Sequence, residues 1–204
     1  MARYIGPRVR ILRALGTPLP GLTRKEVGNR TERPGQHGAK PNTRKSGFGL
    51  QLIEKQKLRY HYGVNETQLR NLVKEAKGGK QPTGEKLVEL LERRIDNMVF
   101  RAGFAPSIPC ARQLIRHGHI QLNGRRVTIP SQRLRVGDTL SLGPKAQKVP
   151  AVVESLQQPA LERPEWIAFD ETAKAARLSH LPGVDAQPFP LDTQKIVEYY
   201  AQRV

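Results

Sequence analysis

An α+β fold is predicted for this chain: helices first, a small sheet later, and a basic arm ahead of both. Three observations predict it. Apolar residues recur at helical spacing across residues 46 to 116, alternation then takes over around Asn123-Gly124, and residues 1 to 45 mix Pro, Gly and basic side chains with no sustained period of either kind.

The arm comes first. Pro7, Pro18, Pro20, Gly6 and Gly16 interrupt any amphipathic helix in the first 25 residues, so this Arg-rich, acid-free start reads as a mature basic arm and not as a targeting segment. The run from Arg33 through Pro34, Gly35, Gln36, His37 and Gly38 to Lys45 cannot form a helix and has almost nothing apolar to bury. Alone in solution it reads as a disordered tail. Against phosphate it would become ordered, Gly35 and Gly38 letting the backbone approach closely and His37 stacking or donating.

The helices follow. Ser46 can cap one reaching to about Tyr62, with Leu50, Ile53, Leu58 and Tyr62 inward, Lys55, Lys57 and Arg59 outward, and Gly63 as its stop. Asn65 with Gln68 makes a capping box for a second, which buries Leu69, Leu72, Val73 and Ala76 and ends at Gly78-Gly79. A third is expected from Thr83 or Gly84 without interruption to Ala102, with Leu87, Leu90, Leu91, Ile95, Met98 and Val99 on its stripe and Gly103 after it. Ser107 caps a fourth, with Ala111, Leu114 and Ile115 inward, Arg112 and Arg116 one turn apart on a common outer face, and Gly118 as its stop.

Strands come next. His119 to Leu122 and Arg125 to Ile129 alternate about Asn123-Gly124, the strongest short hairpin signal, with Ile120 and Leu122 facing Val127 and Ile129. Arg135 to Asp138 turn the chain into a further strand over 139 to 142. Residues 159 to 190 are rich in Pro and read as irregular, and residues 192 to 200 as a short docking helix carrying Ile196, Val197, Tyr199 and Tyr200.

Charge says what such a molecule meets. The net charge is +17 and the isoelectric point about 10.6. Residues 1 to 60 hold 14 basic against 3 acidic side chains, residues 61 to 149 hold 16 against 7, and residues 150 to 204 hold 5 against 8. A polyanion partner therefore belongs to the first three quarters of the chain, and nucleic acid leads. A membrane is the weaker competitor, since no apolar run approaches a spanning helix and no secretory segment opens the chain; a soluble, intracellular protein is expected. Length fits one or two domains with modest cores.

The helix-helix-hairpin stretch concentrates the candidates: Arg93, Arg94, Arg101, Arg112, Arg116, Arg125 and Arg126 with His117, His119 and Asn123, against only Glu92, Asp96 and Asp138. Such an excess of one sign is what a phosphate site needs, and the planar fork of Arg meets phosphate bidentately or stacks on a base. Signals for catalysis are absent. Cys110 is the single cysteine, the five His are scattered, and no phosphate-cradling Gly-Lys loop occurs. Arg94-Ile95-Asp96 looks like the Arg-Leu-Asp that carries the catalytic aspartate of pseudouridine synthases. Asp96 nevertheless sits within an apolar helix, where pairing with a neighbouring Arg or a backbone amide is expected of it.

Five motifs together resemble the S-four family of small ribosomal subunit proteins, in its bacterial or organellar form: Met1-Ala2-Arg3-Tyr4 with Gly6-Pro7, Arg33 to Gly38, Glu54 to Arg59, the Arg94 to Val127 module, and Ile196 to Tyr200. The resemblance implies a basic N-terminal arm over 1–43, a helical RNA-binding domain over 44–91 completed by 180–204, and an inserted S-four-type α+β RNA-binding domain over 92–179. It implies a structural component that binds small-subunit ribosomal RNA directly, nucleates assembly of the subunit body, touches the S-three and S-five proteins near the messenger entry channel, and can repress its own messenger. The location implied is the cytoplasmic small subunit, or the organelle's if the form is organellar.

RNA contacts are expected from Arg3, Arg33, Gln36, His37, Lys40, Arg44 and Lys45 in and beside the arm, from Lys55, Lys57 and Arg59 in the first helix, and from Arg94, Arg112, Gln113, Arg116, His117, His119, Asn123 and Arg125 in the module. Two departures stand out. Many members hold zinc with four N-terminal cysteines, whereas Val9 and Leu12 occupy the first pair's places here and the second pair has no counterpart, so no zinc and no other cofactor is expected. Members often carry basic or polar residues where Ile108-Pro109-Cys110 stand, so that helix start is given no contact. Two other readings remain. One is an RNA-modifying enzyme with the same module as a targeting domain, which would need a catalytic domain; the other is a stress or recycling factor, which would not need the arm.

Overall fold

The computed structural model describes residues 4–25, 27–39, 45–183 and 185–201. Arg3, Lys40 and Arg44 lie outside them. The chain packs as two compact units, one of residues 1–87 with 187–204 and the other of residues 88–186, so that the division falls inside a helix.

The first unit is helical. It opens with α1 (Arg8–Leu15), where no helix was expected. The breakers delimit this helix: Pro7 sits in the extended conformation just before it, and Gly16, at φ 65°, closes it by donating its N–H to the Leu12 carbonyl at 2.9 Å. Ile11 and Leu12 are buried. After it come α2 (Gly47–His61) and α3 (Glu66–Lys77). Ser46 caps α2 by accepting from the Gly49 amide, and Asn65 with Gln68 forms the full capping box on α3, as the sequence reading has it. From the other end of the chain, α8 (Thr193–Ala201) packs on α2 and α3, burying Ile196 and Tyr200.

One inward and one outward assignment on α2 need correction. Leu50 is exposed and Lys55 is 4% exposed, because Glu66 at the start of α3 supplies a carboxylate 2.8 Å from the Lys55 ammonium and lets that helix face turn in. The other carboxylate oxygen accepts from the Tyr200 hydroxyl at 2.6 Å. Burial opposes the charge on Glu66, but the hydrogen bonds from Lys55 and Tyr200 outweigh it and hold the carboxyl below its usual range.

α4 (Thr83–Glu92) ends where the uninterrupted apolar stripe gave no warning, and α5 (Ile95–Arg101) starts anew. The break has a cause. Arg94 adopts an extended conformation and bridges Arg133; the Leu134 amide donates to the Arg93 carbonyl, and the Ile95 and Asp96 amides donate to the Gln132 and Pro130 carbonyls. The passing segment thereby satisfies amides that a new helix start would leave without partners.

The second unit continues with α6 (Ile108–Arg116), capped by Ser107 as expected, and a five-stranded antiparallel sheet. Its strands are β1 (Ile120–Leu122), β2 (Arg125–Val127), β3 (Thr139–Leu142), β4 (Ile167–Asp170) and β5 (Ala175–Leu178), in the order β2-β1-β3-β5-β4. Ile120 lies opposite Val127 on one side and Leu142 on the other. Together with Ile95, Met98, Val99, Ala111 and Ile115 they form one apolar core. The hairpin is shorter than its alternation suggests, since β2 stops at Val127 and leaves Ile129 59% exposed. The Pro-rich stretch read as irregular supplies β4 and β5, and α7 (Pro150–Gln157) precedes it.

Candidate nucleic-acid interface

The chemistry of the second unit is set by one buried carboxylate. Asp96, 1% exposed, accepts from Arg94 through both oxygens (Nε to Oδ1 3.0 Å, Nη2 to Oδ2 2.9 Å), from the Arg112 Nε at 2.7 Å, and from its neighbour's amide, Asn97 N, at 3.0 Å. Burial opposes its ionisation, yet the Arg94 and Arg112 guanidiniums outweigh that and hold its pKa below the usual value. This is the local pairing expected of Asp96.

The same geometry corrects two RNA-contact assignments. Arg94 is 5% exposed and spent on Asp96; Arg112 is turned inward from the outer face of α6 to the same carboxylate. Arg101 is also buried: its Nη2 donates to the Ala186 carbonyl at 2.9 Å, and its Nε lies 3.7 Å from Glu92. Asn97 ties Glu92 further, donating to its carboxylate at 2.6 Å. Arg93, half-buried, pairs with Glu89 at 2.8 Å. Four of the seven arginines thus hold the module together.

What remains outside is a continuous face. Gln113, Arg116 and His117 are exposed along α6 and its C-terminal end, and the β1–β2 hairpin stands beside them with Arg125 and Arg126 exposed. Gly118, at φ 72°, lets the chain reverse between the two, and its missing side chain is what admits the Arg126 guanidinium, which donates to the His117 carbonyl at 3.3 Å. The His117 and His119 rings lie 6.1 Å apart across this reversal. Asn123 sits at the tip with φ 49°, followed by Gly124 at φ 77°. The Asn123 side chain, though exposed, is engaged by the start of β3, donating to Asp138 at 2.8 Å and accepting from the Thr139 amide at 2.9 Å, so it shapes the tip. A shallow groove beside β2 joins Arg125 and Arg126 to exposed Ile129 and Gln132.

Sequence reasoning counted Arg126 among the basic candidates without expecting an RNA contact from it, and did not raise Arg133 or Arg135, although all three are exposed on this unit. Arg126 was visible in the basic count, but nothing in the alternation says that it crosses to α6. Arg133 lies in the segment that pairs with Arg94, and Arg135 follows it, both outside any periodic element.

In the first unit, Arg33, Gln36 and His37 are exposed on a non-helical loop, with Gly35 at φ 106° and the Gly38 amide returning to the Gly35 carbonyl at 3.1 Å. A Cβ on Gly38 would collide with the Arg33 carbonyl oxygen, so the loop requires glycine there. Lys45 is exposed. Lys57 is half-buried and paired with Glu54 at 2.7 Å; Arg59 donates to Gln56 at 3.3 Å. Among the described residues no group of three or more His, Cys, Asp or Glu could hold a metal ion, and no helix is long and apolar enough to cross a membrane.

Residues 3–92 match the model of the ribosomal protein S4/S9 N-terminal domain, and residues 93–140 match the S4 domain. Along its whole length the chain is 57% identical to the small ribosomal subunit protein uS4 of Methylobacillus flagellatus, covering all of that protein too. The chain belongs to the uS4 family. The corresponding protein of Nitrosomonas europaea, uS4B, is 53% identical, and the uS4 of Lacticaseibacillus casei 43%, again over the full length of both chains. A uS4 protein is a ribosomal protein and not an enzyme. Asp96, whose sequence context looks like that of a catalytic aspartate, is enclosed by two guanidiniums.

Proposed function

We propose that this chain is a structural component of the small ribosomal subunit that binds small-subunit ribosomal RNA directly and nucleates assembly of the subunit body. The observation that carries the reading is the pairing of full-length uS4 similarity with an exposed, carboxylate-poor face running from Gln113 through Arg116 and His117 to Arg125 and Arg126. Guanidiniums on such a face neutralise phosphates, and the histidines and glutamine suit base and sugar edges. His119 joins that face, and Arg33, Gln36, His37 and Lys45, with Arg3, Lys40 and Arg44, form a second contact region. Lys57 and Arg59 on α2 belong to the same proposal, with Lys57 turning from Glu54 and Arg59 from Gln56 to meet phosphate. The helical domain of residues 44–91 with 180–204 and the α+β domain of residues 92–179 are the two RNA-binding bodies of this reading. Neighbours of the S-three and S-five families, a place near the messenger entry channel and repression of its own messenger belong to the same proposal, as does a place in cytoplasmic ribosomes.

Titration of the purified chain with transcripts of small-subunit and large-subunit ribosomal RNA at several salt concentrations tests it. Tighter binding to the small-subunit transcript, falling linearly in log–log form with salt, is the expected result. Equal affinity for both transcripts sinks the reading.

A further inference from the structure

The reversal between α6 and β1 brings two titratable side chains together. His117 is exposed and His119 half-buried, and their rings are 6.1 Å apart and tilted by 51°. The backbone beneath them is pinned at each step. The His117 amide donates to the Gln113 carbonyl at 3.0 Å, the Gly118 amide to Ile115 at 2.9 Å and the His119 amide to Leu114 at 3.0 Å, while the Gly143 amide donates to the His119 carbonyl at 2.8 Å. A ligand therefore meets the two rings as a pair on a rigid base. The charged groups around the pair are Arg116 at the end of α6, Arg125 and Arg126 on β2, and Lys145 and Lys148 on the stretch after β3; all are exposed and all are cations. The acids of this part of the unit are engaged elsewhere, Asp96 by Arg94 and Arg112, and Asp138 by Asn123 and the Arg135 amide. Among the described residues neither imidazole is in an ion pair.

Histidine is the side chain whose charge changes between about pH 5 and 8. An added proton is repelled beside guanidiniums and held beside a phosphate, so imidazoles in this setting gain protons when a polyanion arrives. The arginines around them carry a fixed charge and cannot respond in this way. We propose that the His117-Gly118-His119 turn is a proton-coupled phosphate site: binding of RNA takes up protons there, about one per chain, and the complex tightens as pH falls through neutrality. The proposal rests on the RNA-binding reading above and adds a condition on which part of that contact depends. The other histidines stand apart from the turn, His37 and His61 in the first unit and His180 beyond β5.

The experiment titrates the full chain with small-subunit ribosomal RNA between about pH 8 and about pH 6 at constant ionic strength, beside an H117Q/H119Q variant and thermal melts of both. Wild-type affinity should rise about tenfold over that interval and its salt slope steepen by about one unit, since each imidazolium gained adds a phosphate contact. The glutamine variant should bind as wild type does at the alkaline end and lose the rise, because its amides still donate but never take a charge. Protons gained by the RNA or by the other three histidines are common to both proteins and cancel in the comparison. Equal pH dependence of the two overturns the site. Should the double variant melt early, H117Q alone decides, with proton uptake read by calorimetry in two buffers of different ionisation enthalpy. Fewer protons than wild type takes up supports the site, and the same number overturns it. Wild-type indifference between small-subunit and large-subunit transcripts at every pH would instead sink the functional reading, so the two failures are told apart.

Discussion

At Asp96, a motif's chemistry and its burial part company. Breaking a buried, multiply bonded ion pair from one side leaves the other side's charges uncompensated, here two guanidiniums at once. Asp96→Ala should therefore lower stability by about 3 to 5 kcal/mol in urea unfolding. The pH dependence has a definite sign. Because the folded pKa is depressed, Asp96 contributes its full stabilisation above its unfolded value of about 4, and that stabilisation is lost as pH falls through the lower folded value. The difference in melting midpoint between wild type and Asp96→Asn should shrink steadily from pH 5 downward; a difference independent of pH would contradict the assignment. Arg112 and Arg116, which share a helix face in sequence, separate here: Arg112→Ala should destabilise, and Arg116→Ala should leave the melt unchanged. Sequence could not divide them, because a cation on a helical wheel is outward by default and only its acid partner, sixteen residues away in the case of Arg112, turns it in. Lys55 went astray for the same reason, its partner Glu66 lying on the next helix.

At the scale of elements, the hairpin tip is the joint that aims Arg125 and Arg126. Asn123 combines a positive φ with two side-chain hydrogen bonds to the start of β3. Asn123→Ala should cost about 1 to 2 kcal/mol and raise the exchange rate of the Thr139 amide, whereas Asn123→Gly should recover the backbone part of the loss and none of the exchange protection. Equal exchange rates in all three proteins would mean that the side chain plays no part. Caps and stops were legible where they are local: Ser46, the Asn65 and Gln68 box, Ser107 and Gly118 act within four residues, and the structure has them as read. The interruption between α4 and α5 was not, because its cause is a strand-like pairing with residues 130 to 134, nearly forty residues on. The two-turn α1 was lost to its own boundary signals, Pro7 and Gly16, which in so short an element look the same as breakers.

For the whole molecule, the N-terminal segment is expected to fold without a metal ion, since it carries no cysteine and Ile11 and Leu12 are buried in its first helix. A strong chelator should leave both the melting midpoint and RNA affinity where they are, and a drop in either would reveal a ligand set that the residues do not supply. The α+β class followed from two periods and one turn dipeptide, and the basic face from the charge count. The β4–β5 hairpin stayed hidden, since its strands are four residues each and their partners are fixed only once β3 is in place. The sheet leaves β2 paired on one side alone, and that free margin is three residues long and carries Arg125 and Arg126. A second copy offering the same margin would bring like charges together, which disfavours strand-to-strand addition between chains; the side chains proposed above to meet phosphate would then guard solubility as well.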